Sequence, residues 1–171
     1  MEVLRVLNVA PTQLHPNSWA ALQAFRLLCE VLGLKPTPRS FLHFFGTRPR
    51  DRIGWVSLVS QSKNSFLHPF TTSYKKFKKG FFKVVIEEEG RPFFCDGKTL
   101  PFYWTKDPTC FYMWPRSLMT EDDLEVLSVL DGLPRQIPTR AIVCAYLSSN
   151  KIVDVDGMFL LLVSALFYFD I

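Results

Sequence analysis

Acidic residues are the first candidates for chemistry in this sequence, because carboxylates that converge can hold the divalent metal of a nuclease or strand-transfer site. Asp51, Glu87 and Asp107 could share such an ion only if the fold brings them together. Glu87 opens a run of three glutamates, whose side chains alternate between the two faces of a strand and so do not converge. Asp122 and Asp123 lie in the first turn of a predicted helix, where they compensate its dipole. A metal-dependent transposase or nuclease fragment therefore remains an alternative hypothesis.

Other catalytic signatures are missing from the chain. It contains no phosphate-binding loop, no dinucleotide fingerprint, no nucleophile elbow and no zinc-protease motif. The three histidines stand beside prolines or phenylalanines and are interpreted as surface or capping residues; they are His15, His43 and His68. The cysteines lack zinc-ligand spacing and are interpreted as reduced, mostly buried thiols; they are Cys29, Cys95, Cys110 and Cys144. We therefore expect no catalytic residue, no metal, no cofactor and no small-molecule substrate.

Basic residues are the second kind of candidate, because ammonium and guanidinium groups neutralise nucleic-acid phosphates. In "SYKKFKKGFFKVVIEEEG", residues 73–90, lysines alternate with aromatic residues. Either the aromatics stack on bases, or Phe77, Phe81 and Phe82 are buried and the lysines keep an edge strand soluble. We favour buried phenylalanines with an electrostatic contact, which is weak, salt-sensitive and without base readout. The candidate contacts are Lys75, Lys76, Lys78, Lys79, Lys83, Arg48, Arg50 and Arg52.

Charge is divided unevenly along the chain. Residues 1–83 carry 13 Lys/Arg and 3 Asp/Glu, whereas residues 84–171 carry 7 Lys/Arg and 13 Asp/Glu. We interpret this division first as two solvated faces of a single domain. A polyanionic partner or head-to-tail self-association is the alternative interpretation.

An aromatic stretch, "PFYWTKDPTCFYMWP" at residues 101–115, is the third candidate. If exposed, it would form a protein-binding surface for a host partner. We expect instead that Trp104, Tyr112 and Trp114 are buried in the core.

Helix signals surround these candidates. Helical spacing predicts that residues 17–32 bury Trp19, Leu22, Phe25, Leu28, Cys29 and Leu32 and expose Gln23, Arg26 and Glu30. Asn17 or Ser18 is the predicted N-cap, and Gly33 the predicted left-handed end. A second helix is predicted from Thr37 to a stop at Gly46, followed by a loop. A third begins at Thr120 and buries Leu124, Leu127 and Leu130, and a fourth restarts at Pro138.

Strand signals lie between the helices. Residues 55–60 alternate, residues 80–88 are rich in β-formers, and Asp96-Gly97 is typical of a hairpin turn. The predicted fold is therefore α+β, with N-terminal helices, a small mostly antiparallel sheet from about residue 55 to 104, and C-terminal helices.

We expect one domain over residues 1–150 and an apolar tail over 151–171, which is either a buried helix or a non-native, truncated end. Its apolar run, residues 158–169, is too short for a membrane helix, which needs about 20 residues.

Several segments together resemble the plant gypsy-type transposon domain, also labelled a gypsy-type transposase. The resemblance covers about residues 7–149 and includes "LNVAPTQLHPNSWAALQAFRLLCEVLGLKPT", "FLHFFGTRP", "GWVSLVS", "YKKFKKGFFKV" and "LPRQIPTRAIVCAYLSS". Its most specific element begins with HPNSW. The residues that carry the family motif, in structural roles, are His15, Pro16, Asn17, Ser18, Trp19, Trp55, Phe81 and Phe82.

The resemblance implies a retrotransposon-derived, gag-like module without assigned catalytic residues. We expect it to self-associate, to bind nucleic acid weakly, or both, inside the cell in the cytoplasm or nucleus. The rival hypotheses are the metal-dependent fragment and the host protein-interaction domain.

Overall fold

The computed structural model describes residues 2–49, 55–60, 65–71, 103–110 and 112–148. The helices in these ranges are α1 Glu2–Leu7, α2 Pro16–Val31, α3 Pro38–Phe44, α4 Glu121–Asp131 and α5 Thr139–Ser148. Strand β1, Phe45–Pro49, pairs antiparallel with β2, Val56–Ser60. Strand β3, Leu67–His68, pairs in parallel with β4, Ile137–Pro138. This arrangement confirms the predicted α+β class.

Helix α2 begins two or three residues earlier than predicted. His15, rather than Asn17 or Ser18, is the N-cap, and its Nδ1 accepts a hydrogen bond from the Asn17 N–H at 3.2 Å. Pro16 occupies the first helical position, where a missing N–H costs nothing. At the other end, Gly33 adopts φ +69°, which confirms the predicted left-handed residue.

The buried surface of α2 is wider than the predicted stripe. Phe25 and Cys29 are buried as expected, and Gln23, predicted to face solvent, is also buried, whereas Leu32, predicted to be buried, is exposed. Both α5 and β2 pack against α2, so the helix is covered on more than one side. A stripe prediction assumes a single covered side, and it was wrong for Gln23 for that reason.

Helix α3 ends where β1 begins. Thr37 caps α3 as predicted, and its Oγ1 accepts the Ser40 N–H at 3.0 Å. The predicted stop at Gly46 and the predicted loop after it are wrong: Phe45 is already extended and starts β1. The Phe45 ring is buried and stacks on Phe41 at 4.6 Å, which directs the chain from helix into strand.

Phenylalanine rings form the centre of the core. Phe25 meets Phe41 edge-on at 5.3 Å, and Phe44 stacks on Phe66 at 4.7 Å. Through Phe66, which directly precedes β3, these contacts join α3 to that short strand. Aromatic pairs of this kind add to the free energy gained from burial alone. Burial was also predicted for Phe77, Phe81 and Phe82 of the lysine-rich segment, but these residues lie outside the described residues.

Helix α4 begins at the predicted Thr120 cap, whose Oγ1 accepts the Asp123 N–H at 3.3 Å. Its buried side consists of Val126, Leu127 and Leu130, whereas Leu124, predicted to be buried, is exposed. The predicted strand at 80–88, the predicted turn at Asp96-Gly97 and the tail 151–171 lie outside the described residues. Within the described ranges, no helix has the length and apolar character needed to cross a bilayer.

Candidate interaction surface

The acidic residues do not form a metal site in the part of the chain that the structure describes. No group of three or more His, Cys, Asp or Glu side chains lies close enough there to hold an ion. Asp51 and Glu87 lie outside the described residues, and Asp107 is exposed. His43 is used structurally, since its Nδ1 lies 2.9 Å from the Trp114 carbonyl oxygen.

Asp123 has a structural role that dipole compensation alone does not describe. Its buried carboxylate accepts the Thr37 hydroxyl at 2.5 Å, the Thr120 N–H at 2.9 Å and the Arg39 guanidinium at 3.4 Å. Burial raises the pKa of this carboxyl, but the hydrogen bonds from Thr37, Thr120 and Arg39 outweigh burial and hold the pKa below its usual range. One carboxylate therefore joins the N-caps of α3 and α4.

The basic candidates are represented among the described residues by Arg48, which is exposed on β1. The other seven lie outside the described residues: Lys75, Lys76, Lys78, Lys79, Lys83, Arg50 and Arg52. Phe81 and Phe82 lie outside them as well. The lysine-aromatic contact therefore stays a prediction.

The family-motif residues that the structure describes make structural contacts: a helix cap, hydrogen bonds and a ring contact. His15 and Pro16 start α2, and the buried Ser18 hydroxyl accepts the Leu58 N–H of β2 at 2.8 Å. Trp19 is half-buried, and its Nε1 donates to the Pro11 carbonyl at 3.3 Å. Trp55 packs edge-on against Trp104 at 5.1 Å. The bonds of Trp19 and Ser18 attach the start of α2 to the preceding Pro11–Gln13 turn and to strand β2.

The aromatic stretch contradicts our expectation of burial. Tyr103 is 89% exposed, Tyr112 77%, and Trp104 and Met113 45% each. The prediction was wrong for Trp104 and Tyr112, while Trp114 is partly buried against the core. The phenylalanines of α2, α3 and β1 already fill the interior, so this stretch forms an outer layer. We call residues 103–110 and 112–114 the aromatic strap.

The strap is fastened at three points, all by hydrogen bonds. The first is a 3-10 turn, Pro11–Gln13, which bonds the backbone of Thr105 and the indole of Trp104. The second is a bond from the Thr109 N–H to the Leu7 carbonyl at 2.9 Å. The third is a bond from the Trp114 N–H to the Leu42 carbonyl at 2.9 Å. The strap backbone is therefore held in place while most of its aromatic side chains face solvent.

Beyond the third attachment, a second 3-10 turn, Arg116–Leu118, leads into α4 and leaves Leu118 exposed. Arg116 pairs with Asp131 at the end of α4, and Arg135 pairs with the same carboxylate at 3.3 Å. Burial raises the pKa of Asp131, but bonds from Arg116 and Arg135 outweigh it and the pKa lies below its usual range. These ion pairs fix the exit of the strap.

Arranged in this way, the described residues define an α+β module with a fastened, solvent-facing aromatic segment. A family model described as "Putative gypsy type transposon" matches residues 1–49, which confirms the gypsy-type resemblance over that segment. The match covers the first part of the range over which we identified the resemblance. Searches of curated proteins and of solved structures gave no match.

All three attachment points of the strap lie inside the matched segment. Leu7, the Pro11–Gln13 turn and Leu42 belong to residues 1–49, whereas the strap itself lies outside the match. Sequence reasoning identified the aromatic residues but missed Gln13 and Thr12 as their anchors. No local pattern marks these two residues, because their partners are 92 positions away.

Proposed function

We propose that this chain is a non-catalytic, gag-like module of a plant gypsy-type transposable element, and that copies of it associate through the aromatic strap. The observation that carries the proposal is the fastened strap with Tyr103 and Tyr112 almost fully in solvent. The proposed place of action is the cell interior, in the cytoplasm or nucleus.

The chemistry of the strap suits a protein partner. Tyrosine, tryptophan and methionine are enriched at protein interfaces, and Tyr and Trp also dominate their binding energy. Tyr103, Trp104, Tyr112 and Met113 provide these residue types within one short stretch. Because their backbone is already held by hydrogen bonds, little conformational entropy is lost when a partner binds.

The charge pattern supports another copy of the chain as that partner. The first 83 residues carry an excess of ten positive charges, and the remainder an excess of six negative charges. A head-to-tail contact would place opposite charges together and would repeat from copy to copy. Such repetition is what a gag-like assembly needs.

Sedimentation equilibrium of the full chain at several concentrations tests this function. We expect reversible association of the wild type and a loss of at least about tenfold in affinity when Tyr103, Tyr112 and Met113 are changed to serine together. The matched control changes Val31 and Leu32 to serine, because these exposed apolar residues stand at the far end of α2. A monomeric wild type, or a strap variant that associates as the wild type does, would overturn the proposal.

Nucleic-acid binding is the second candidate, favoured by the basic first half of the chain and by the exposed Arg48. We propose weak phosphate contacts without base readout. Anisotropy of a labelled single-stranded RNA should fall steeply between about 50 and 200 mM salt. Changing Lys75, Lys76, Lys78 and Lys79 to alanine should abolish binding, whereas Lys106→Ala and Arg140→Ala together should not. Binding that is absent or independent of salt would exclude this candidate.

A further inference from the structure

The Gln13 side chain occupies an unusual position at the first attachment of the strap. It is fully buried, yet its carboxamide bonds the backbone of a residue 92 positions away. Its Nε2 donates to the Thr105 carbonyl at 2.8 Å, and its Oε1 accepts the Thr105 N–H at 3.1 Å. A neighbouring β-strand residue would pair with Thr105 in the same two-way manner.

The groups around this pair reinforce it. The Gln13 Oε1 also accepts the Ala10 N–H at 3.4 Å, which ties the carboxamide to its own turn. Next to it, the Thr12 Oγ1 accepts the Trp104 Nε1–H at 2.9 Å. Two consecutive residues of the turn therefore bond two consecutive residues of the strap, Thr12 to Trp104 and Gln13 to Thr105.

From this geometry we infer that Gln13 is the positioning residue of the aromatic strap, and that it controls association by fixing where Tyr103 and Trp104 stand. The inference rests on the proposed function, because the strap is the proposed interface. The Thr105 N–H and C=O are partly buried, and leaving them without partners costs free energy, so Thr105 either keeps Gln13 or moves out to water. Gln13 therefore decides whether the first attachment of the strap forms, while Thr109 and Trp114 keep their own bonds.

Replacement by glutamate tests the positioning role of Gln13. Gln13→Glu keeps the shape of the side chain but replaces the donating NH2 group by an oxygen. An ionised carboxylate still accepts the Thr105 N–H but places a negative oxygen against the Thr105 carbonyl. A protonated carboxyl donates and accepts, and it restores both bonds. Burial beside a carbonyl raises the pKa of the introduced carboxyl, so the first attachment of the strap, at Thr105, should form in mild acid and open in mild base.

Two further variants frame the test. Gln13→Met keeps the length of the side chain but makes neither bond, so it should release Thr105 from the first attachment at every pH. Gln23→Glu is the matched control, because Gln23 is also a buried glutamine, but it stands on α2. It introduces the same buried carboxyl without a bond to Thr105.

The measurements are the exchange protection of the Thr105 amide hydrogen and the affinity of self-association, at about pH 8 and about pH 5, with the wild type as reference at each pH. For Gln13→Glu we expect at least about tenfold lower protection and tenfold weaker association at the higher pH, and recovery of both at the lower pH. Gln13→Met should lose both at each pH, and Gln23→Glu neither. Thr105 protection that is unchanged in Gln13→Glu and in Gln13→Met would overturn the inference.

The two proposals fail in different ways. If Gln13→Glu releases Thr105 reversibly with pH while association stays as in the wild type, the positioning role stands and the strap is not the interface. If association is weakened without loss of Thr105 protection, Gln13 does not act by positioning. A Gln13→Glu protein that is unfolded at the higher pH leaves Gln13→Met, whose Thr105 protection then decides.

Discussion

Aromatic residues meet opposite fates in two regions of this molecule. In α2, α3 and β1, rings such as Phe25, Phe41 and Phe45 are buried and contact one another. In the strap, Tyr103 and Tyr112 face solvent although their segment is fastened to the same N-terminal residues. The difference lies in what holds each region: side-chain packing holds the first, and hydrogen bonds, most of them to the strap backbone, hold the second. Aromatic content alone therefore does not predict a core.

The largest expected effect compares one ring from each region. Phe41→Ala should lower the free energy of unfolding by about 3–5 kcal/mol, because a fully buried ring is lost and a cavity remains. Tyr112→Ala should change it by less than about 0.5 kcal/mol, since an exposed side chain loses little packing. Urea denaturation of both variants measures the contrast. Equal costs would show that the strap belongs to the core.

Two cysteines, Cys29 and Cys110, extend the comparison between the core and the strap to chemical reactivity. Cys29 is buried on α2, and burial raises the pKa of its thiol to about 11, whereas Cys110 is exposed in the strap. Alkylation near neutral pH needs the thiolate, so Cys110 should react about a hundredfold faster than Cys29 in the folded protein. Peptide mapping by mass spectrometry separates the sites. After unfolding in urea the two rates should converge, and a difference that persists would contradict the explanation by burial.

A pair of aspartates gives a smaller contrast. Asp123→Ala should cost about 2 kcal/mol, because Thr37 and Thr120 lose a capping partner and Arg39 loses its counter-ion. Asp107→Ala in the strap should leave the free energy of unfolding nearly unchanged, since Asp107 is exposed. Thermal unfolding followed by circular dichroism measures both variants. A cost at Asp107 as large as that at Asp123 would mean that the strap carries its own structural network.

Lowering the pH should produce the smallest change in the free energy of unfolding. The direction of that change follows from the lowered pKa of Asp123. A carboxyl whose pKa is lowered by folding stabilises the protein above its unfolded pKa of about 4, and this contribution is lost as pH falls below that value through the folded pKa. The free energy of unfolding should therefore fall on acidification below about pH 4, and fall less in Asp123→Asn than in the wild type. Stability curves that run parallel for both proteins would exclude Asp123 as the responsible group.

Local signals in the sequence predicted the helices well. Thr37 and Thr120 mark helix starts, and Gly33 marks a helix end, because capping chemistry depends on near neighbours. Errors arose where distant residues decide. Gln23 is buried because α5 packs on α2, and Phe45 continues into a strand because β2 pairs with it.

The candidate site was predicted only in part, for the same reason. The aromatic stretch was visible as a possible binding surface, but its exposure depends on a core already filled by phenylalanines. The Gln13–Thr105 pair joins positions 92 residues apart and leaves no periodic or capping pattern in the sequence. The basic residues were predicted as phosphate contacts from their charge alone. Arg48 lies on strand β1, and a count of charges does not predict that position.

The shared carboxylate of Asp123 has a consequence for how this gene can be shortened. Thr37 lies in the matched first 49 residues, and its partner lies 86 positions later. The same segment also relies on Val126, Leu130 and Val143 to complete its apolar interior. A chain that stops after residue 49 would therefore have helices with uncovered apolar sides, prone to aggregation and proteolysis. The matched segment depends on α4 and α5 for its stability.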